Sequence, residues 1–374
     1  MEAVPPGISL TSTIVVSSMG VTIYDLAREA GVGIGTVSRC LNNHPSVAPE
    51  TRQKVLAVIK RLNYQPHAYA HRLASRKTNT ISAIIPFFTN YFFLEVLKGV
   101  QDRALELGID LILSGVNDPS QVEYYLRRSL LRGHVDGVMF FSMNFPESFV
   151  SKFQEIALPL VLVDTHHNKF DSITVKNREG AKIAVEHLIH LGHRSIAIIN
   201  GNLQARPAGE RLAGYREALE DHDIPLRDEW MLSSGAGKLD GFTREAGRTL
   251  IRELISRRRI SDTITAAFVA SDVQAIGVLE GARELGIRIP DDIAIVSFDD
   301  IELAQHARLT TMRQPMYQMG RLAVEQLLDR IKERDAAPRI TSFLPELVIR
   351  STCGALRDGE AAARIRRKKE LQAI

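Results

Sequence analysis

The stretch GVGIGTVSR, residues 31–39, carries three side chains that suit contact with the edges of DNA bases. If the stretch is helical, Ser38 lies four positions after Ile34 and shares its face. Arg39, five positions after Ile34, is expected on the exposed side of the helix with them. Ile34 can contact a thymine methyl group, whereas an arginine can donate two hydrogen bonds to guanine. A phosphate contact is the alternative role for Arg39. Gly35 has no side chain, so it lets the helix approach the bases closely while offering them no hydrogen bond.

The residues around this stretch predict a helix-turn-helix. A first helix is expected from about Ile23 to Ala30, and Gly31 supplies the positive φ that a tight turn requires. Ala27 is small enough to let two helices cross closely, and Val37 is the apolar plug of the second helix. The segment PETRQKVLAVIKRL predicts a third helix. Together these features indicate a small all-α module near the amino terminus.

Charge is distributed unevenly along the chain of 374 residues, whose net charge is +3. Residues 21–80 hold nine lysines and arginines against three acidic residues, and residues 361–374 hold five against one. The rest of the chain is therefore acidic overall. A small basic module on a larger acidic body indicates one part that meets a polyanion and one part that does not.

Composition bounds the class of protein. A hydrophobic content of 45% and a charged content of 24% are typical of a soluble globular protein. No apolar run reaches the roughly 18 residues that a membrane helix needs. The first 20 residues lack a basic start, so we expect a disordered leader rather than a secretion signal. Two distant cysteines favour a reduced, cytoplasmic protein.

Residues 80–350 have a different pattern. Apolar runs such as ISAIIPFF, DGVMFF, LVLVD, SIAIING and IAIVSFDD alternate with amphipathic segments such as REGAKIAVEHLIHLG. Short buried strands that alternate with helices predict βαβ units and parallel sheets. The number of units favours two doubly wound halves that divide near Val175–Asn177. Ligands of such sheets bind beyond the carboxyl ends of the strands, which places a ligand cleft between the halves.

The segment VTIYDLAREAGVGIGTVSRCLNNHPSVAPETRQKVLAVIKRLNYQPHAYAHRLA resembles the DNA-binding headpiece of the LacI/GalR family of transcriptional repressors. Later phrases fit the same family, among them VEHLIHLGHRSIAIING, RLAGY, VASDVQAIGVLEGARELGIRIPDDIAIVSFDD and LTTMRQP. The resemblance covers roughly residues 21–352. It implies an all-α helix-turn-helix headpiece followed by a periplasmic-binding-protein-like α/β core of two doubly wound parallel-sheet subdomains.

The resemblance also implies a domain plan and partners. We expect a homodimer that binds pseudo-palindromic double-stranded operator DNA and responds to a small sugar-like effector, with no membrane partner, metal or cofactor. The expected boundaries are a leader at 1–20, the headpiece at 21–66, a hinge at 67–78, the core at 79–354 and a basic tail at 355–374. Within the core we assign 79–176 and 308–335 to the first half, and 177–304 and 338–352 to the second.

Several headpiece positions match family residues that contact DNA. Ile34 and Gly35 stand at the two main specificity positions. Positions that fix the DNA backbone are matched by Thr22, Tyr24, Thr36, Asn42, Thr51 and Tyr64. In the hinge, His67 is also a candidate for DNA contact. Leu73 matches the leucine that the family inserts into the minor groove, and Arg72 can reach into the same groove. Gly33 and Ala48 depart from the family, which commonly has a serine cap at each position.

The resemblance implies an effector site at the cleft. Arg211 matches the family arginine before Leu-Ala-Gly, and Asp272 is taken as the family aspartate. From the first half we expect Phe92, Phe93 and Asp164. Ala236 stands where the family usually offers an aromatic platform, so another residue must supply that platform or it is absent. Arg206 adds a positive group that would favour a phosphorylated sugar.

Two other classes of protein deserve comparison with the regulator. An α/β core can host an enzyme, but the sequence holds no P-loop, no G-x-S-x-G turn and no cluster with metal-ligand spacing. A solute-binding protein would share the core but would carry a secretion signal and no basic headpiece. A nucleobase or a phosphorylated sugar remains an alternative effector.

Overall fold

A computed structural model describes residues 21–41, 44–64, 78–86, 91–118, 120–235, 240–256 and 264–355. The chain separates into two compact units, residues 1–76 and 77–374. We call the described part of the first unit the headpiece and that of the second unit the core. Within these ranges, no helix combines the length and the apolar character needed to traverse a lipid bilayer.

The headpiece consists of three helices, α1 (Ile23–Ala30), α2 (Ile34–Leu41) and α3 (Pro49–Arg61). Gly31 ends α1 with φ 61° and ψ 37°, as the turn between α1 and α2 predicts. The side chains of Leu26, Val37 and Val55, one from each helix, are fully buried against one another. The predicted helix-turn-helix with a third supporting helix is confirmed.

The first half of the core is a parallel sheet with helices on its faces. Its strands are β1 (Thr80–Pro86), β2 (Asp110–Val116), β3 (Gly137–Phe141), β4 (Leu160–Val163), β5 (Asp171–Val175) and β11 (Ile340–Phe343). Its helices are α4 (Tyr91–Glu106), α5 (Gln121–Ser129), α6 (Glu147–Ile156) and α12 (Met316–Lys332). The strand order is β11-β5-β4-β3-β1-β2, and every pair is parallel. Its central strands are fully buried, in agreement with their continuous apolar runs.

The second half repeats this architecture. Its strands are β6 (Ile196–Asn200), β7 (Met231–Ser233), β8 (Ala266–Val269), β9 (Ala294–Asp299), β10 (Thr310–Arg313) and β12 (Glu346–Val348). Its helices are α7 (Asn177–His190), α8 (Arg206–Asp221), α9 (Arg244–Ser256), α10 (Asp272–Glu284) and α11 (Glu302–His306). The order is β12-β10-β9-β8-β6-β7, and only the β10–β12 pair is antiparallel.

The chain passes between the two sheets three times. The first crossing is Lys176, between β5 and α7; the second is residues 314–315, between β10 and α12; the third is residues 344–345, between β11 and β12. The Lys176 amide donates to the Phe343 carbonyl at 2.8 Å, which ties the first crossing to the end of β11. Each half is therefore assembled from separate parts of the chain.

Two parts of the expected halves are wrong. Residues 310–313, assigned to the first half within 308–335, form β10, which pairs with β9 in the second sheet. Residues 340–343, assigned to the second half within 338–352, form β11, which pairs with β5 in the first sheet. Both strands have four residues, and pairing with β9 or with β5 decides which sheet each one joins.

Candidate functional site

Helix α2 presents an open surface along one side. Ile34 is 42% exposed, and Gly35 and Arg39 are exposed beside it. Arg39 Nε donates to the Gly35 carbonyl at 3.1 Å, so the guanidinium lies along its own helix. A Cβ atom added at Gly35 would come no closer than 3.6 Å to another heavy atom. The face predicted to meet base edges is therefore free of other parts of the headpiece.

The start of α1 has a different role from that of α2. The Thr22 amide and hydroxyl both donate to Asp25 Oδ2, at 3.0 and 2.7 Å, and the hydroxyl accepts from the Asp25 amide at 3.4 Å, which completes a capping box. These contacts with Thr22 hold the pKa of Asp25 below its usual range. Tyr24, in the first turn, is 68% exposed. Tyr64, by contrast, is buried in the headpiece core.

The remaining DNA-contact candidates fall into two groups. Thr36, Ser38 and Thr51 are partly exposed on α2 and α3. Ala48, which is not one of these candidates, stands directly before α3 and makes no side-chain cap, as expected for alanine. The other candidates lie outside the described residues, namely Asn42, His67, Arg72 and Leu73.

The core contains a cavity of about 350 Å³ that is lined by residues of both halves. It lies beyond the carboxyl ends of β1, β4 and β9, where an open α/β sheet binds its ligands. Four of the five predicted effector residues line it, namely Phe92, Phe93, Asp164 and Arg211. The rings of Phe92 and Phe93 meet edge to face, with centroids 5.2 Å apart.

Arg211, on α8, is a buried guanidinium with fixed partners. Its Nε donates to Asn177 Oδ1 at 2.9 Å, and its Nη1 donates to the Ala270 carbonyl. The same Nη1 lies 3.5 Å from Asp299 Oδ1. Its guanidinium carbon lies 3.9 Å from the centroid of the Phe298 ring, in cation–π geometry. These contacts preorganise the charge of Arg211 at the cavity wall.

Asp164 supplies a carboxylate from the opposite half, directly after β4. It is 9% exposed, and the Ser142 hydroxyl donates to its Oδ2 at 2.7 Å. Burial raises the pKa of Asp164 to about 6, and the Ser142 hydrogen bond and the charge of Arg211 limit the rise. The carboxylate can accept hydrogen bonds from ligand hydroxyl groups.

The prediction that Asp272 contacts the effector is wrong. Asp272 begins α10 and is fully buried, and it does not line the cavity. Its Oδ1 accepts the hydroxyls of Ser297 and Thr311, and its Oδ2 accepts the Ile301 amide at 3.0 Å. These bonds use the carboxylate to join α10 to β9 and β10, so it has no role left at the cavity.

Asp299 is the carboxylate of the second half that lines the cavity. It ends β9 with φ 121°, and Asp300 follows with φ 59°. Such conformations cost roughly 1–3 kcal/mol at residues other than glycine and persist only where surrounding contacts impose them. Here Asp300 Oδ2 accepts from Arg313 Nε and Asp300 Oδ1 from Arg350 Nη2, both at 2.7 Å. The phrase IAIVSFDD contained a signal for this residue, because its aspartates directly follow a buried strand.

Phe242 is a second cavity residue that sequence reasoning missed. It supplies an aromatic wall from the second half, where the family platform was expected at position 236, which lies outside the described residues. The Arg211 guanidinium carbon lies 5.4 Å from the centroid of the Phe242 ring. Its signal was the aromatic side chain beside Gly241, whose φ is 69°.

The cavity is lined by more acidic than basic residues. Its carboxylates are Glu123, Asp164, Asp240 and Asp299, and its cations are Arg206 and Arg211. The Arg206 Nε donates to Glu210 Oε1 at 2.7 Å, so this charge already has a partner. Within the described residues, no group of three histidine, cysteine or acidic side chains has the arrangement of a metal site.

The chain thus joins a helix-turn-helix headpiece, the architecture of a DNA-binding module, to a two-lobed core that holds a polar and aromatic cavity. Residues 22–67 match the model of the bacterial regulatory proteins of the lacI family, and residues 185–353 match the periplasmic binding protein-like domain. The chain belongs to the lacI family of bacterial regulatory proteins. This membership confirms the expectation of a transcriptional regulator rather than an enzyme.

Named relatives cover nearly the whole core and headpiece. Catabolite control protein A of Priestia megaterium is 36% identical over 315 residues, which are 83% of this chain and 92% of the relative. The ribose operon repressor of Haemophilus influenzae is 34% identical over 345 residues, which are 90% and 99% of the two chains.

Two solved structures show the same architecture. The lac repressor dimer bound to operator and the anti-inducer ONPF has a TM-score of 0.76 and 26% identity, with 89% of this chain and 99% of that chain covered. The complex of the transcriptional regulator CelR with cellobiose has a TM-score of 0.66 and 29% identity, with the same coverage.

Proposed function

We propose that this chain is a repressor that binds a pseudo-palindromic operator as a homodimer and is controlled by a neutral, hydroxyl-rich effector. The observation that carries the effector class is the cavity wall formed by Asp164, Arg211 and Asp299 beside aromatic rings. Paired acidic and basic groups bind vicinal hydroxyls, and aromatic faces pack on the apolar side of a sugar ring.

DNA reading is assigned to the exposed side of α2. Ile34 offers an apolar contact, Arg39 offers a bidentate donor once its guanidinium leaves the Gly35 carbonyl, and Ser38 offers a hydroxyl. Because Gly35 has no side chain that could contact a base, a larger share of the sequence specificity depends on the shape and deformability of the DNA. We assign Tyr24 and Thr51 to contacts with the phosphate backbone of the DNA.

A phosphorylated effector is disfavoured by the charge of the cavity. Four carboxylates line it against two arginines, and each arginine has a carboxylate partner: Glu210 for Arg206 and Asp299 for Arg211. A phosphate dianion would find both arginines already engaged and the Asp164 carboxylate beside them in a site of low dielectric. The relatives named for ribose and cellobiose support the neutral class.

Homodimer formation is supported by apolar surface on the first half. Strand β2 is an edge of its sheet and leaves Leu113 43% exposed. Helix α4 leaves Leu94 and Leu105 47% and 77% exposed. Exposed apolar residues on an unpaired edge are typical of surfaces that are covered in an assembly. The related lac repressor structure is a dimer on operator.

A ligand panel tests the effector class. Ribose, cellobiose, glucose 6-phosphate and adenine are added separately to the full chain, and the melting temperature is recorded. We expect a rise with a neutral sugar and none with the phosphorylated one. A rise confined to glucose 6-phosphate or adenine would contradict the neutral class.

Deletion of residues 1–78 tests the division of labour. Operator sequences are first selected from a random DNA pool with the full chain. The shortened chain should lose operator binding and keep sugar binding. Equal operator affinity of both chains would overturn the headpiece assignment, and turnover of the bound sugar would point to an enzyme instead.

A further inference from the structure

Two buried amides stand at crossings between the halves, and each contacts a charged residue of the cavity. Asn177 directly follows the first crossing, and Gln314 lies in the second. Both side chains are 3% exposed. Neither amide lines the cavity. They therefore act on the cavity only through the residues that they hold.

Two hydrogen bonds and one ion pair form a continuous line. Asn177 Oδ1 accepts from Arg211 Nε at 2.9 Å, and Arg211 Nη1 lies 3.5 Å from Asp299 Oδ1. The same Oδ1 of Asp299 accepts from Gln314 Nε2 at 2.6 Å. We call Asn177–Arg211–Asp299–Gln314 the polar chain. It runs from the first crossing to the second through the two charges that the second half offers to an effector.

Each end of the polar chain is anchored to the backbone of its crossing. Asn177 Nδ2 donates to the Val175 carbonyl at 3.3 Å and to Glu210 Oε2 at 3.2 Å. The Gln314 amide donates to the Asp299 carbonyl at 3.1 Å. Any shift of Arg211 or Asp299 toward a ligand therefore changes hydrogen bonds that fix the crossings.

The backbone at Asp299 suits such a role. Its φ of 121° is a strained conformation that surrounding contacts must impose. Both the backbone amide and the side chain of Gln314 bond to Asp299. Gln314 Oε1 is buried without a hydrogen-bond partner among the described residues. A buried amide oxygen without a partner costs free energy. The hydrogen bond from the Gln314 side chain to Asp299 explains why an amide stands here.

The geometry points to Asn177 and Gln314 as positioning residues that couple the two crossings to each other through Arg211 and Asp299. Occupancy of the cavity then alters both crossings together and so the relation of the two halves. This inference rests on the proposed effector site for its purpose, but the coupling itself is a property of the protein without a ligand.

Hydrogen exchange on the full chain tests the coupling without any sugar. Gln314→Met removes the donor at one end of the polar chain while keeping the side-chain volume. We expect exchange in residues 175–180, at the other end, to become about fivefold faster. The reciprocal variant, Asn177→Ala, should accelerate exchange in residues 314–317 by a similar factor. If one of the two variants does not fold, the other still tests the coupling.

The matched control is Gln326→Met. Gln326 is also a buried amide with one hydrogen bond, from its Nε2 to Thr341 Oγ1 at 2.9 Å, and an unpartnered Oε1 among the described residues. It lies beside β11, which contacts the first crossing, but outside the polar chain. In the Gln326→Met protein, hydrogen exchange in residues 175–180 should match that of the wild type.

Two outcomes would overturn the inference: acceleration confined to the mutated crossing, or an equal acceleration in Gln326→Met. If no ligand in the panel raises the melting temperature, the proposed effector class is contradicted. The hydrogen-exchange test of the coupling is not affected. The two proposals therefore fail separately.

Discussion

Arg211 Nη1 and Asp299 Oδ1 lie 3.5 Å apart, and both side chains are more than nine-tenths buried. A buried ion pair adds little net stability, but removal of one partner leaves an uncompensated charge in a medium of low dielectric. We therefore assign the pair to the proposed effector site rather than to the stability of the core.

Arg211→Met should destabilise the core by about 3 kcal/mol or more and abolish sugar binding. Denaturant unfolding followed by circular dichroism measures the first effect, and calorimetric titration the second. The control is Arg178→Met, which removes a partly exposed ion pair with Glu217 at 2.6 Å and should cost within about 1 kcal/mol. Equal losses in the two variants would contradict the buried role of Arg211.

Stability should depend on pH through Asp164. Burial raises its pKa in the folded protein to about 6, above the value of 3.8 for an exposed aspartate, so the folded state holds a proton that the unfolded state releases. The resulting stabilisation is present below pH 4 and is lost as the pH rises toward 6. Asp164→Asn should therefore match the wild type near pH 4 and exceed its melting temperature at pH 7. A difference that grows on acidification would contradict this sign.

Sugar affinity should change with pH in the opposite sense. Ligand hydroxyls donate to ionised carboxylates, and burial together with nearby carboxylates raises the pKa of Asp299 to about 8. Binding then releases protons, so the affinity of a neutral sugar should rise between pH 6 and 9. Calorimetry in buffers of different ionisation enthalpy measures the protons released. Proton uptake on binding would show that a protonated carboxyl donates to the ligand instead.

Ala48→Ser should stabilise α3 by about 1 kcal/mol, because Ala48 stands at the start of the helix with an extended ψ of 139° and no side-chain cap. Slower hydrogen exchange of the first α3 amides in the full chain measures the gain. Gly33→Ser, at a position with no heavy atom within 4 Å of an added Cβ, should gain only a few tenths of a kcal/mol. A larger gain at Gly33 would reverse this ranking of the two caps.

Arg39→Ala should relax base preference at one operator position and cost about 1–3 kcal/mol on the preferred site. The comparison is Arg28→Ala on α1, which removes an exposed charge that pairs with Asp25 at 2.6 Å. That variant should lower affinity similarly for all DNA sequences. If Arg39→Ala reduces only the salt dependence and leaves base preference intact, then Arg39 is a phosphate contact.

Local chemistry made the headpiece predictable. Ala27, Gly31 and Val37 each meet a packing or backbone requirement that depends on near neighbours, and α1 has the predicted bounds of Ile23 and Ala30. Long-range pairing was less predictable. The strands at 310–313 and 340–343 are short, and only contact with β9 and β5 decides which sheet each joins.

The effector site shows the same limit. Asp272 comes soon after one buried strand and Asp299 ends another, so both phrases mark a candidate carboxylate without telling which one faces the cavity. The structure separates them by their partners: two hydroxyls and an amide saturate Asp272, whereas a strained backbone turns Asp299 to the cavity. Phe242 was missed because a loop brings it to the wall, and no periodic pattern marks such a residue.

The three crossings also constrain synthesis of the protein. The first sheet needs β11 at 340–343 and the second needs β12 at 346–348, so neither half can close until almost the whole core has left the ribosome. The headpiece helices, complete by residue 61, are made hundreds of residues earlier. During elongation at about 5–20 residues per second, they wait for tens of seconds before a core that can sense a ligand exists. A chain that stops short of β11 thus carries the three headpiece helices together with two unfinished sheets.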